Sequence, residues 1–205
     1  ALALSVKRLE DLGIDYPEHP SFDAAKSGCI SSGNVPGKNK WFAYLASKVL
    51  HANQEKILFS FEGLFSKILT HHKLFADTFS SYNIKIILFI RDPMDHMLSG
   101  YGQGIKRGRH THSAEDASDK YDVVEHVNKF IDFCNEHNFA LKVINYSNRK
   151  KNLLSAFEKA LEIPFKTPTL PSTKNVNRSL TASELELQRL FNLYYDGQSA
   201  KFISD

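Results

Sequence analysis

Cysteine is nearly missing from this chain. Its two copies, Cys29 and Cys134, are too few and too far apart for a disulfide framework or a zinc-ligand spacing, so a reducing, cytoplasmic setting is expected. Long apolar runs are lacking too. None approaches the ~20 residues that span a bilayer, and no signal-peptide pattern opens the sequence, so no membrane span is expected. Charge of one sign is also scarce: 26 Lys and Arg against 23 Asp and Glu leave a net +3. That falls short of the dense basic face of a nucleic-acid binder, and no nucleic-acid partner is expected, but it suits an anionic cofactor or an acidic acceptor. The start lacks a methionine and a helix cap. Ala1 to Val6 already follow a helical pattern that runs through Leu9 and Leu12 to Gly13, so residues upstream are expected to be missing.

What is present is enough apolar side chain, 42% of 205 residues, to bury a full core as one domain over 1–205. The chain is organised around Ile84–Lys106. Ile84 to Ile90 is an almost continuous β-branched and apolar run, expected as a central strand covered on both faces. Arg91-Asp92-Pro93 follows, with Asp92 suited to an N-cap and Pro93 to the first helical turn. Met94, Met97, Leu98, Tyr101 and Ile105 then recur at helical spacing and are expected to face the sheet. Asp95, Ser99, Gly102 and Lys106 fall on the opposite stripe. Arg91 thus sits at the carboxyl end of a strand, where open α/β sheets bind ligands and a helix start offers free N–H groups. Its guanidinium is a fixed charge with a fork of donors, and an anion site is inferred there.

Further strands are expected at Lys56–Glu62 and Ala140–Tyr146, and helices at Trp41–Leu50, Tyr121–Asn138 and around Leu153–Leu161. The alternation argues for a parallel sheet with helices on both faces. Glu62 ends its strand, so it is a candidate general base for an acceptor hydroxyl or amine; the competing reading is an acid favouring the next helix dipole. Lys26–Lys40 is Gly- and Ser-rich, and Gly33-x-x-x-Gly37-Lys38 falls one residue short of a Walker A loop without a strand before it. A flexible loop is expected there. His71 and His72 are adjacent, point to different helix faces and are expected in solvent, so no metal site is expected. Lys106-Arg107-Gly108-Arg109-His110 is either a solvated loop or the rim of an anionic site. Thr181-x-x-Glu184 forms a capping box, after which Leu187, Leu190, Phe191 and Tyr194 are expected to pack a last helix.

Arg91, Ser99 and Tyr101, in the frame R-D-P-x-x-x-x-x-S-x-Y after a hydrophobic strand, resemble the nucleotide 3′-phosphate segment of sulfotransferases that use 3′-phosphoadenosine 5′-phosphosulfate (PAPS). Gly13-Ile14-Asp15-Tyr16-Pro17 is similar to a segment after the first helix in bacterial sulfotransferase-like proteins. The resemblance implies a three-layer α/β sandwich with a central, mainly parallel sheet of the P-loop nucleotide-hydrolase type. It also implies PAPS as cofactor and sulfuryl transfer to a hydroxyl or amine on a small-molecule or carbohydrate acceptor. Arg91 and Ser99 would hold the 3′-phosphate, a catalytic Glu or His would lie near Glu62, and a basic loop including Lys174 or Arg178 would reach the nucleotide. The family's Lys-x-Gly-Thr-Thr-like phosphosulfate loop would lie upstream of Ala1. Two other readings share the fold: a small-molecule or nucleotide kinase, with Asp92 as a magnesium carboxylate, and a non-catalytic nucleotide-binding domain.

Overall fold

Amphipathic sequence becomes helix over more than half of the described residues. A computed structural model describes residues 2–19, 22–26, 33–37, 40–107, 110–169 and 180–197; Arg178 and Cys29 lie outside them. The α-helices are Val6–Glu10 (α1), Phe22–Lys26 (α2), Trp41–Leu50 (α3), Leu64–Thr70 (α4), His72–Phe79 (α5), Pro93–Lys106 (α6), Ala114–Asp119 (α7), Val123–Glu136 (α8), Tyr146–Arg149 (α9), Leu153–Leu161 (α10) and Ala182–Tyr194 (α11). The strands are Ile14–Asp15 (β1), Lys56–Ile57 (β2), Lys85–Ile90 (β3) and Ala140–Asn145 (β4), with β1 paired to β2 and β3 to β4. The class is mixed α/β. Two compact units divide it: Ala1–Phe89 with Lys129–Lys174, and Ile90–Asn128 with Asn175–Asp205.

In the first unit, β1 and β2 run parallel in the register Ile14↔Lys56 and Asp15↔Ile57. The Ala140 N–H donates to the Ile84 carbonyl at 2.9 Å, so β3 and β4 begin side by side and run the same way. The core is built largely of rings. Trp41, Leu45, Ile68, Phe75, Phe79, Phe130, Phe133 and Phe139 are all under one-tenth exposed, and Ile84, Ile86, Leu88 and Leu141 pack against them. Phe75 meets Phe139 edge-to-face at 5.9 Å and 89°, a geometry aromatic quadrupoles favour. Cys134 is fully buried in this core, and desolvation pushes its thiol up to about 11. A second cluster joins Leu9, Ile14, Tyr16 and Phe22 to Leu58 and Ile163.

Several sequence expectations change here. No residue of β3 is fully buried, and Phe89 is 38% exposed, because β4 is its sole strand neighbour among the described residues. Phe89 instead leans on Phe157 of α10 at 6.2 Å. Of the strand expected over Lys56–Glu62, Lys56–Ile57 pairs with β1, and Phe61 makes an isolated antiparallel bridge to Gly33. The loop expected to be flexible is tied down at Gly33-Asn34. Asn34, 1% exposed, donates from Nδ2 to the carbonyls of Pro17 (3.2 Å) and Leu58 (3.0 Å), and its Oδ1 accepts from the Ser60 N–H at 2.8 Å. Gly33 has φ +119°, and a Cβ there would lie 1.9 Å from the Ser60 carbonyl oxygen, so this close approach requires glycine.

Candidate functional site

The unit from Ile90 to Asn128 and beyond holds the residues singled out for anion binding. Arg91 follows β3 directly and is half-buried. Asp92 takes the N-cap of α6 with φ −47° and ψ 130°, and Pro93 occupies the first turn. Asp92 Oδ1 accepts from the N–H groups of Met94 (3.0 Å) and Asp95 (3.1 Å). The expectation of free N–H groups at this helix start is thereby corrected: the cap carboxylate already satisfies two of them. An anion here must be met by side chains. Ser99 is exposed on α6, and Tyr101 donates its hydroxyl to the His112 carbonyl at 3.2 Å, which ties the helix to the loop before α7.

The α6 stripe is only partly packed. Ile105 is fully buried, whereas Met94 and Leu98 stand 58% and 48% exposed. Gly102, assigned to the outer stripe, is in fact a packing position, since a Cβ there would lie 3.6 Å from Leu185 of α11. The face of α11 also departs from expectation, with Leu187, Leu190 and Tyr194 at 55%, 48% and 82% exposure. Its buried position is Asn192, at 0%. Asn192 Nδ2 donates to the carbonyls of Ile105 and His110, both at 2.9 Å. One turn earlier Arg189 donates to the Thr111 carbonyl at 2.9 Å, held by a double hydrogen bond to Glu186. The helix thus docks through polar side chains that reach backbone carbonyls, alongside the Leu185 contact at Gly102.

A histidine pair and a histidine–tyrosine pair complete the unit. His110 and His112 rings stand 4.6 Å apart. His110 Nδ1 is buried without a hydrogen-bond partner, and burial, then the charge of His112, lowers its pKa. Gly104 lies against this ring, since a Cβ there would be 2.1 Å from Nδ1. At the other end of α6, His96 Nδ1 and the Tyr121 hydroxyl are 3.0 Å apart. Burial, then the Asp92 charge, raises the Tyr121 pKa.

The structure therefore brings Arg91, Ser99 and Tyr101 into one unit. Glu62 belongs to the other, exposed in the turn just before α4, a place that serves equally a base and a dipole-favouring acid. Near it Tyr16 and Ser60 share a hydrogen bond of 2.8 Å, and burial raises the Tyr16 pKa more than that bond lowers it. Asn34, Asn192 and Tyr121 escaped sequence reasoning. A lone polar residue inside an amphipathic pattern carries no local sign that it will be buried. Compared with protein-family models, curated proteins and solved structures, the chain matches none. Among the described residues no helix is long and apolar enough to cross a membrane.

Proposed function

We propose that the protein is a sulfotransferase that binds PAPS, on a three-layer α/β sandwich of the P-loop nucleotide-hydrolase type. The observation that carries this reading is the strand–cap–helix unit itself. Arg91 stands half-buried at the end of β3, Asp92 and Pro93 start α6, and Ser99 lies exposed further along it. Arg91 and Ser99 would grip the nucleotide 3′-phosphate, a fixed cation and a hydroxyl donor suiting a dianionic ester. Tyr101 would act on the nucleotide through its ring, its hydroxyl being engaged by His112.

The reaction is in-line transfer of the sulfuryl group. A lone pair on the acceptor oxygen or nitrogen attacks sulfur, and the bond from sulfur to the bridging phosphate oxygen breaks. The electron pair leaves on adenosine 3′,5′-bisphosphate, and the acceptor proton passes to a base, for which Glu62 is the candidate. Fixed donors stabilise the charge on the leaving phosphate, as in phosphoryl transfer. The acceptor would be a small molecule or carbohydrate with a free hydroxyl or amine.

The test is calorimetric titration of the full-length protein with adenosine 3′,5′-bisphosphate, 5′-AMP and ATP with magnesium, beside Arg91→Ala. Binding that requires the 3′-phosphate and weakens at least tenfold in the variant supports the reading, since a charge-assisted contact contributes roughly 1.5–3 kcal/mol. Preference for ATP with magnesium moves the protein to the kinases, and absence of nucleotide binding refutes a nucleotide-dependent function.

A further inference from the structure

An exposed histidine ordinarily samples several rotamers, but His96 is held. Its Nδ1 lies 3.0 Å from the Tyr121 hydroxyl, and the two rings stand 5.8 Å apart at 56°. Burial and the nearby negative charge of Asp92 both keep the proton on the Tyr121 phenol. Where the phenol donates to Nδ1, the ring proton of His96 sits on Nε2. In that arrangement Tyr121 orients the ring and leaves Nε2–H as a donor for a ligand.

That donor lies on a meaningful stripe of α6. Ser99 is three residues further on, so the two side chains neighbour each other on the helix surface. Asp92 falls one turn before His96, and Asp95 one turn before Ser99. Acid therefore lies beside Ser99 on this part of the helix, with Lys106 further along, although Asp92 is engaged by the N–H groups of Met94 and Asp95. A phosphate placed against Ser99 meets two carboxylates and, besides Arg91, needs a further donor on the helix itself.

We infer that His96, oriented by Tyr121, is a third donor to the phosphate ester held by Arg91 and Ser99, and that it sets the preference for a nucleotide carrying a 3′-phosphate. The inference rests on the nucleotide site proposed above and adds a specificity residue, His96, and a positioning residue, Tyr121.

The experiment compares affinities for adenosine 3′,5′-bisphosphate and 5′-AMP in the full-length wild type, His96→Ala, His96→Gln and Tyr121→Phe. His96→Ala is expected to cut the ratio of the two affinities about tenfold while leaving 5′-AMP binding in place, the size of one charge-assisted hydrogen bond. His96→Gln, whose amide N–H reaches toward the position of Nε2, should recover part of the ratio. Tyr121→Phe should lose part of it, and long-range ¹H–¹⁵N spectra should show the Nε2–H tautomer of His96 in the wild type and a mixture in Tyr121→Phe. A wild type that prefers the 3′-phosphate through Arg91, with an unchanged ratio in His96→Ala, overturns the inference and leaves the site standing. A wild type blind to the 3′-phosphate removes the site and the inference together.

Discussion

Replacing Asn192 by Leu tests how α11 is held. Asn192 is fully buried, and its one amide nitrogen serves two carbonyls at 2.9 Å, those of Ile105 at the end of α6 and His110 in the following loop. Leucine has a similar volume and no donor, so the substitution opens little cavity and leaves both carbonyls without that partner. A buried acceptor stripped of its donor costs roughly 1–3 kcal/mol; with His110 partly wet, about 3 kcal/mol for the pair is expected. For a chain of this size that corresponds to a fall of about 6–12 °C in the melting temperature of the transition that includes α11. Urea unfolding and amide exchange read it directly: the midpoint should drop, and the amides at the C-terminal end of α6 should lose protection. Leu193→Ala, at a side chain 59% exposed, is the control and should stay within about 0.5 kcal/mol. If Asn192→Leu is as mild as the control, the polar clamp does not hold the helix and the account of α11 is wrong.

Gly104→Ala should destabilise by about 1–3 kcal/mol, because its Cβ would land 2.1 Å from His110 Nδ1. Combining it with His110→Ala should recover much of that loss, and a double-mutant cycle without coupling would refute the steric reading. Stability should also fall in acid through His110. Its folded pKa lies below the ordinary 6.5, so between that lowered value and 6.5 the unfolded chain binds more protons. The slope of stability against pH is therefore positive in this window. Urea midpoints between pH 5 and 7 should show a smaller slope in His110→Phe than in the wild type, and equal slopes would remove His110 as the cause.

Periodicity and punctuation alone determined much of this protein. Asp92 and Pro93 start a helix after a strand, Thr181 and Glu184 close a capping box, and the strand expected over Ala140–Tyr146 forms as Ala140–Asn145, with Tyr146 opening α9. These are local effects, carried by φ preference, side-chain-to-backbone hydrogen bonds and alternation. Arg91, Ser99 and Tyr101 were legible as a candidate site for the same reason, since strand, cap and helix fix their places along the chain. Tertiary structure decided which faces are covered. Met94 and Leu98 stay exposed although their spacing matches that of buried Ile105, while α11 reaches α6 at Gly102 and Ile105. Asn192 is buried where two carbonyls from distant residues converge on it, and Asn34 where the Pro17 and Leu58 carbonyls and the Ser60 N–H do. His96 acquires one orientation from Tyr121, twenty-five residues away. Such partners are set by how chain segments pack in space, and no local pattern in the sequence encodes them.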